Sequence, residues 1–285
     1  MTQEQGISRD IYRMAAQCRH YAMCKIDYLG TGLCPPAETY PFVSYFPQGR
    51  MDLYCALNDR VVPMTQGAVD IIECCPFCGR CDKQCHFITG LRPMRVMAAL
   101  KSFLNTYRIT GKDPEQPEED DLLRALWQIV GSRWATNDPA MLIAYANDPF
   151  PLAGPQMPRY VVMPKNRDEV TQVVRTANRY DIPIVVRGNG GSVFGFVFTD
   201  GVVIDLNRMK GIDIDPDNWT VTVEPGVTSF ELQTAVASQG FRVNTAEPAA
   251  TVCGNIVCTG LFSTWANVYG VGADGIVDME FVDRN

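Results

Sequence analysis

The stretch CCPFCGRCDKQCHF, residues 74–87, most constrains what this chain can become: Cys75, Cys78, Cys81 and Cys85 stand at C-x2-C-x2-C-x3-C. In so tight a loop three thiolates cap three irons of one cubane, while the fourth turns away toward a second cluster, as in two-cluster ferredoxin-type motifs. A structural zinc site is the alternative, but it would set two C-x2-C knuckles a dozen or more residues apart. Nine of the eleven cysteines lie before residue 90. Disulfide scaffolds are small secreted chains, so at 285 residues reduced, metal-binding thiolates fit better.

The fourth cysteine of the comb calls for a second set of ligands. Upstream, CRHYAMCKIDYLGTGLCPP offers Cys18, Cys24 and Cys34, with Pro35 after the last. ISRDIYRMAAQC and LRPMRVMAALKSFLNTY flank these segments with helical patterns. In the second, Met94, Met97, Leu100 and Leu104 recur at helical spacing and read as core. Near residue 112 the composition changes to GKDPEQPEEDD, acidic and proline-rich, which reads as a linker, with a further helix at DDLLRALWQIV. The expected organisation is a metal-binding domain over 1–111, a linker with a helix over 112–157, and a second domain over 158–285.

From Tyr160 the pattern alternates between strand and helix. YVVM, IPIVVR and GVVIDL read as buried strands. NRDEVTQVVRTANRYD reads as a helix, with Asn166 at its N-cap and Val170, Val173, Val174 and Ala177 on one face. The first two strands and this helix make a β-α-β unit. IDIDPDNWTVTVEPG predicts a hairpin turning at Pro216, Asp217 and Asn218; TSFELQTAVASQG predicts a helix with Thr228 and Glu231 in capping-box spacing, ending at Gly240. VVRGNGGSVFG, Val185 to Gly195, is a strand running into a glycine loop that lets backbone N–H groups turn toward a pyrophosphate. It lacks the nicotinamide fingerprint, because a strand-like segment follows the loop where that motif opens a helix.

Composition excludes several classes of function. With 46% hydrophobic and 20% charged residues the chain is globular, and its net charge of −7 opposes nucleic acid binding. No apolar run reaches the roughly 18–20 residues of a membrane span, and MTQEQGISRD is no secretory signal. A cytoplasmic location is the expectation.

Two resemblances sharpen this reading. The first comb, YFPQGRMDLYCAL and the second comb together resemble the ferredoxin-like iron–sulfur subunits of glycolate oxidase and heterodisulfide reductase. The resemblance implies one cluster on Cys75, Cys78, Cys81 and Cys34, and another on Cys18, Cys24 and Cys85. Where those families carry the middle cysteine of the first comb this chain has Tyr21, and His86 replaces the proline after the last cysteine. Either the second cluster has three irons, or His20, Cys55 or Cys74 supplies a ligand, or the site is empty.

The second half resembles the FAD-binding domain shared by vanillyl-alcohol oxidases, D-lactate dehydrogenases and glycolate oxidase flavin subunits. Five landmarks carry it: PRYVVMPKNRDEVTQVVRTANRYDIPIVVRGNGGS, GVVIDLNRMKGIDID, VTVEPGVTSFELQ, PAATVCGNIV and VYGVGADGIVDMEFV. It implies that Gly188, Asn189, Gly190, Gly191 and Ser192 hold the pyrophosphate of FAD and that Pro248, Thr251, Gly254 and Asn255 line a second wall. Arg187, Gly195, Cys253, Gly260, Tyr269 and Gly270 complete the implied cofactor-contacting set. Cys253 and Cys258 read as small buried side chains rather than metal ligands. Both histidines, His20 and His86, lie in the first half, so FAD is expected to be held non-covalently.

The implied fold is α+β: a helical ferredoxin-like two-cluster domain, then a partial α/β FAD-binding domain of the vanillyl-alcohol oxidase type. MEFVDRN is expected to be a strand, with the rest of that domain on a continuing chain or a separate subunit. No catalytic base is nominated. The implied function is an FAD-dependent dehydrogenase of a small 2-hydroxy acid such as lactate or glycolate, passing electrons through two [4Fe–4S] clusters to a partner protein in a hetero-oligomer. The alternative is an electron-transfer subunit of a larger heterodisulfide-reductase-like complex, without a substrate of its own.

Overall fold

A computed structural model of the chain describes residues 3–150, 156–192, 194–245, 247–254 and 265–283. It divides into two compact units: Met1–Glu119 with Asn137–Asn147, and Asp120–Thr136 with Asp148–Asn285. No helix among the described residues is long and apolar enough to cross a membrane.

The first unit is helical. Helices α1 (Gln3–Ala16), α2 (Pro35–Thr39), α3 (Pro47–Asn58), α4 (Gln66–Glu73), α5 (Arg80–Thr89) and α6 (Pro93–Ile109) follow in order. α3 packs against α1 and α6 and is buried on nearly every face, polar Gln48, Arg50 and Asp52 included. Gly49 makes its close approach possible, since a Cβ there would lie 2.4 Å from the Val43 carbonyl oxygen. On α6, Met97, Leu100 and Leu104 are buried as their spacing predicts.

The proline-rich stretch is less of a linker than its composition suggests, because both units draw on it. After α7 (Asp121–Val130), residues 137–147 return to the first unit. There Asp138 caps the short α8 (Pro139–Leu142) by accepting from Ala140 N at 2.8 Å, and also accepts from Thr65 Oγ1 at 2.7 Å and Gly67 N at 3.0 Å. α7 itself belongs to the second unit. Asp120 caps it, and Leu122, Leu123, Leu126 and Val130 join that unit's core.

In the second unit a four-stranded sheet runs β1-β2-β4-β3, from β1 (Ala135–Thr136), β2 (Tyr160–Val162), β3 (Ile184–Arg187) and β4 (Val202–Asp205). β2, β4 and β3 are parallel and β1 is antiparallel to β2. The expected β-α-β unit forms through α9 (Arg167–Arg179), but β4 lies between its two strands. β4 takes the central place because Val202, Val203, Ile204 and Asp205 are all fully buried, whereas β3 leaves Val186 exposed. Asn166 caps α9 by accepting from Glu169 N at 2.9 Å, and Val173, Val174 and Ala177 face the core. The hairpin of β5 (Ile212–Asp215) and β6 (Thr220–Val223) turns where Asp215 accepts from the amides of Asp217 and Asn218. α10 (Ser229–Ala237) carries the complete capping box of Thr228 and Glu231.

One expected element is absent among the described residues. MEFV pairs with no strand, and Val277, Met279 and Phe281 are exposed. Alternating residues make a strand only when a neighbouring edge accepts their backbone bonds, and no described residue supplies that edge to this stretch.

Candidate functional site

Helix α5 carries the end of the cysteine comb. Gly79 begins it in the left-handed region at φ +76°, and Cys81 and Cys85 sit one turn apart. Two side chains fasten α5 to the upstream loop. Arg80 Nη1 donates to Leu33 O at 3.0 Å, just before Cys34, and Gln84 Nε2 donates to Ile26 O at 3.0 Å, just after Cys24. Tyr28 OH also donates to Gln84 O. These bonds carry cysteines far apart in sequence to either end of one helix.

Two groups of thiols result. Cys18, Cys24 and Cys85 line one cavity, together with His20, Tyr21 and Gln48. Cys34, Cys75 and Cys81 form the other group, close enough that each raises or is raised by its neighbours' charge, and Cys24 adjoins it by packing against the apolar cluster around Cys34. Cys78 is exposed on the connecting loop. Among the described residues no three His, Cys, Asp or Glu side chains converge on a single metal ion, and a multi-iron cluster spaces its thiolates more widely than one ion does.

Burial pushes the Cys24 thiol up to about 11 and the Cys81 thiol up to about 12; Cys18 and Cys85 also rise, again chiefly through burial. At Cys34 and Cys74 burial is opposed by Arg50, whose Nη1 donates to Cys34 Sγ at 3.2 Å and whose Nη2 donates to Cys74 Sγ at 3.5 Å. Arg50 stood in the sequence inside the quoted QGR stretch, but nothing local there signals that a buried cation would face thiols.

Both groups leave buried polar atoms short of partners. Gln48 is 2% exposed, and both its Nε2 and its Oε1 lack a hydrogen-bond partner, as does Arg50 Nε. Each such atom costs about 1–3 kcal/mol. A charged, sulfide-rich guest beside these groups offers acceptors to Gln48 Nε2 and Arg50 Nε, and the clustered thiols match its ligand preference.

In the second unit the glycine loop follows β3. A Cβ on Gly188 would lie 1.9 Å from Thr251 Oγ1, and one on Gly190, at φ +70°, would lie 2.1 Å from the guanidinium of fully buried Arg187. Asn189 Nδ2 donates to Ala249 O at 2.7 Å, and Asn207 Nδ2 donates to Gly188 O at 3.1 Å. The facing segment is anchored to the start of α10: Phe230 N donates to Pro248 O at 3.0 Å, Ser229 N to Ala250 O at 2.9 Å and Val252 N to Val227 O at 2.7 Å. Gly254 N donates to Thr251 Oγ1 at 3.3 Å, and Ser192 Oγ accepts from Phe194 N at 3.2 Å. The loop and the Pro248–Gly254 wall are thus brought together. Cys253 packs half-buried against the core; Gly195 approaches Phe150, while Tyr269 and Gly270 lie on an exposed short helix and its cap. Asn255, Cys258 and Gly260 lie outside the described residues.

A loop that side chains would obstruct, facing a second wall, fits a cofactor held by backbone amides. Residues 158–285 match the family described as FAD binding domain. An uncharacterised FAD-linked oxidoreductase of Mycobacterium tuberculosis is 31% identical over 160 residues, covering 54% of this chain and 35% of that protein. Glycolate oxidase subunit GlcD of Bacillus subtilis is 30% identical over 173 residues, covering 58% of this chain and 36% of that protein. The chain thus spans about a third of the length of these curated relatives. Among solved structures, Phl p 4, a grass pollen allergen with glucose dehydrogenase activity, superposes with a TM-score of 0.51 at 22% identity, over 58% of this chain and 36% of that one. That likeness establishes the fold of the FAD-binding segment. The matched residues include both the glycine loop and its facing wall.

Proposed function

We propose that this chain is the cofactor-bearing part of an iron–sulfur flavoprotein oxidoreductase, which oxidises a small 2-hydroxy acid and passes the electrons to a partner protein subunit. The observation that carries the reading is the partition of six cysteines into two groups within a chain whose residues 158–285 match an FAD binding domain. Together the bound groups supply conversion between two-electron oxidation of an organic substrate and one-electron transfer. Cys34, Cys75, Cys78 and Cys81 would hold one [4Fe–4S] cluster, and Cys18, Cys24 and Cys85 the other.

The chain's own residues divide the remaining work. Arg50 stabilises the thiolate form of Cys34 by charge and hydrogen bond. Gly188 and Gly190 let Thr251 and Arg187 pack closely against the loop that would hold the pyrophosphate, Asn189 ties that loop to its facing wall at Ala249, and Asn207 holds it at Gly188. Non-covalent FAD, a hetero-oligomeric assembly and a cytoplasmic setting belong to the same proposal. The substrate class rests on the relative named as a glycolate oxidase subunit, and one fold serves many reactions.

The test is anaerobic purification with iron, sulfide, zinc and flavin counted per chain, then addition of D-lactate or glycolate under an EPR and optical record. Iron and flavin that are both reduced by the hydroxy acid support the proposal. Cofactors reduced by dithionite alone would leave an electron-transfer subunit. Zinc in place of iron, or no flavin, would overturn the reading.

A further inference from the structure

A cubane presents four iron corners, and the cavity of Cys18, Cys24 and Cys85 offers three thiols. The other cysteines of this unit stand elsewhere. Cys74 lies with Arg50 beside Cys34 and Cys75, and Cys55 lies beside Asp52 and Asp59. Tyr21 lines the cavity but is 54% exposed. His20 lines the same cavity with its side chain only 14% exposed, and its Nε2 lies 2.8 Å from Asp52 Oδ1.

That contact determines which ring nitrogen is available. An ionised carboxylate only accepts, so Nε2 carries the hydrogen, and in the neutral ring Nδ1 keeps its lone pair. A carboxylate holding the far nitrogen of an imidazole is the usual support of a metal-ligating histidine. Asp52 is itself buried at 8% exposure and is steadied by Asn147 Nδ2, which donates to Oδ1 at 3.3 Å. His20 and Ala22 both adopt left-handed backbone, at φ +57° and +59°. Non-glycine residues hold that conformation where their surroundings over-determine it.

We propose that the imidazole of His20 is the fourth protein ligand of the cluster held by Cys18, Cys24 and Cys85, bound through Nδ1 and positioned by Asp52. This rests on the reading of those thiols as cluster ligands. Coordination uses the neutral ring's lone pair and releases no proton from it. An imidazole ligand also raises the reduction potential of a cluster above that of its all-thiolate counterpart.

The experiment uses the full chain, purified anaerobically, with iron counted and pulsed EPR recorded after reduction, in wild type, His20→Ala and His20→Cys. Wild type is expected to show the nitrogen coupling of a directly bound imidazole. His20→Cys should keep the wild-type iron content, lose that coupling and titrate at a lower potential. His20→Ala should lose one iron and show a three-iron signal when oxidised. Full iron without nitrogen coupling in wild type, or unchanged spectra in both variants, overturns the ligand assignment and leaves the cluster reading standing. A preparation without iron overturns both.

Discussion

In the first unit the groups that make up the candidate sites are side chains: thiols of Cys18, Cys24, Cys34, Cys75, Cys81 and Cys85, the guanidinium of Arg50, the carboxamide of Gln48. In the second unit the corresponding segment is a glycine loop packed so closely that a Cβ on Gly188 or Gly190 would collide with Thr251 or Arg187. The two designs fail in opposite ways. Changing a cysteine removes a donor and leaves the fold able to form, whereas changing a glycine adds atoms where none fit.

The sharpest break of this comparison is Cys75→Ser, which should remove roughly half of the iron, that of the cluster with Cys34 and Cys81, and leave flavin content unchanged. Metal analysis and the flavin spectrum read both at once. Loss of flavin along with the iron would show that the units do not bind independently. Gly190→Val tests the other side. A β-branched residue at φ +70° pressed against buried Arg187 should weaken flavin binding about tenfold to a hundredfold, with iron retained; equilibrium dialysis measures it.

Arg50→Gln sharpens the comparison within the first unit. Removing the charge beside Cys34 and Cys74 should lower the potential of the Cys34 cluster alone, seen as one shifted wave in an EPR redox titration. It should also cost about 1.5–3 kcal/mol of stability. Equal shifts of both clusters would mean that Arg50 acts from a distance rather than through its bond to Cys34.

The smallest effect belongs to Glu231→Gln in the second unit. Burial opposes the carboxylate, but Lys210 and the bonds from Thr228 outweigh it and hold the Glu231 carboxyl below its ordinary value. Its contribution is therefore present above the unfolded-state value and lost as pH falls through the folded one. The variant should be less stable by about 0.5 kcal/mol at neutral pH after solvent screening, and the gap should close in acid. Chemical denaturation at several pH values measures it, and a gap that widened in acid would contradict the assignment.

Much of the second unit was legible in the sequence because its signals are local. Asn166, Thr228 and the turn at Asp215 announce caps and turns within a few residues, and the buried strands read as short apolar runs. The insertion of β4 between β2 and β3 was not legible, since burial of Val202 to Asp205 on both faces depends on what packs over them. The stretch 112–157 misled for a related reason. Its acids and prolines are those of a linker, yet the α7 residues Leu122 and Leu126 and the segment beginning at Asp138 are claimed by two different cores. In the candidate sites the comb was plain, while Arg50, Gln48 and Asp52 lie on a helix whose sequence gives no period pointing them at thiols.

The sequence by itself determined the local chemistry: thiols at a spacing suited to a cubane, and a run of glycines that frees the backbone to turn after β3. Both follow from chain geometry within one or two turns, which any fold must respect. Only the tertiary structure decided how those donors are shared out. Cys81 and Cys85, one turn apart on α5, are drawn to different groups because Arg80 and Gln84 fasten the helix to the chain after Cys24 and before Cys34. His20, rather than Cys55 or Cys74, is held beside the first group because Asp52, thirty-two residues away, reaches it from buried α3. Such pairings depend on how helices pack, and packing is a property of the assembled core that no local spacing encodes.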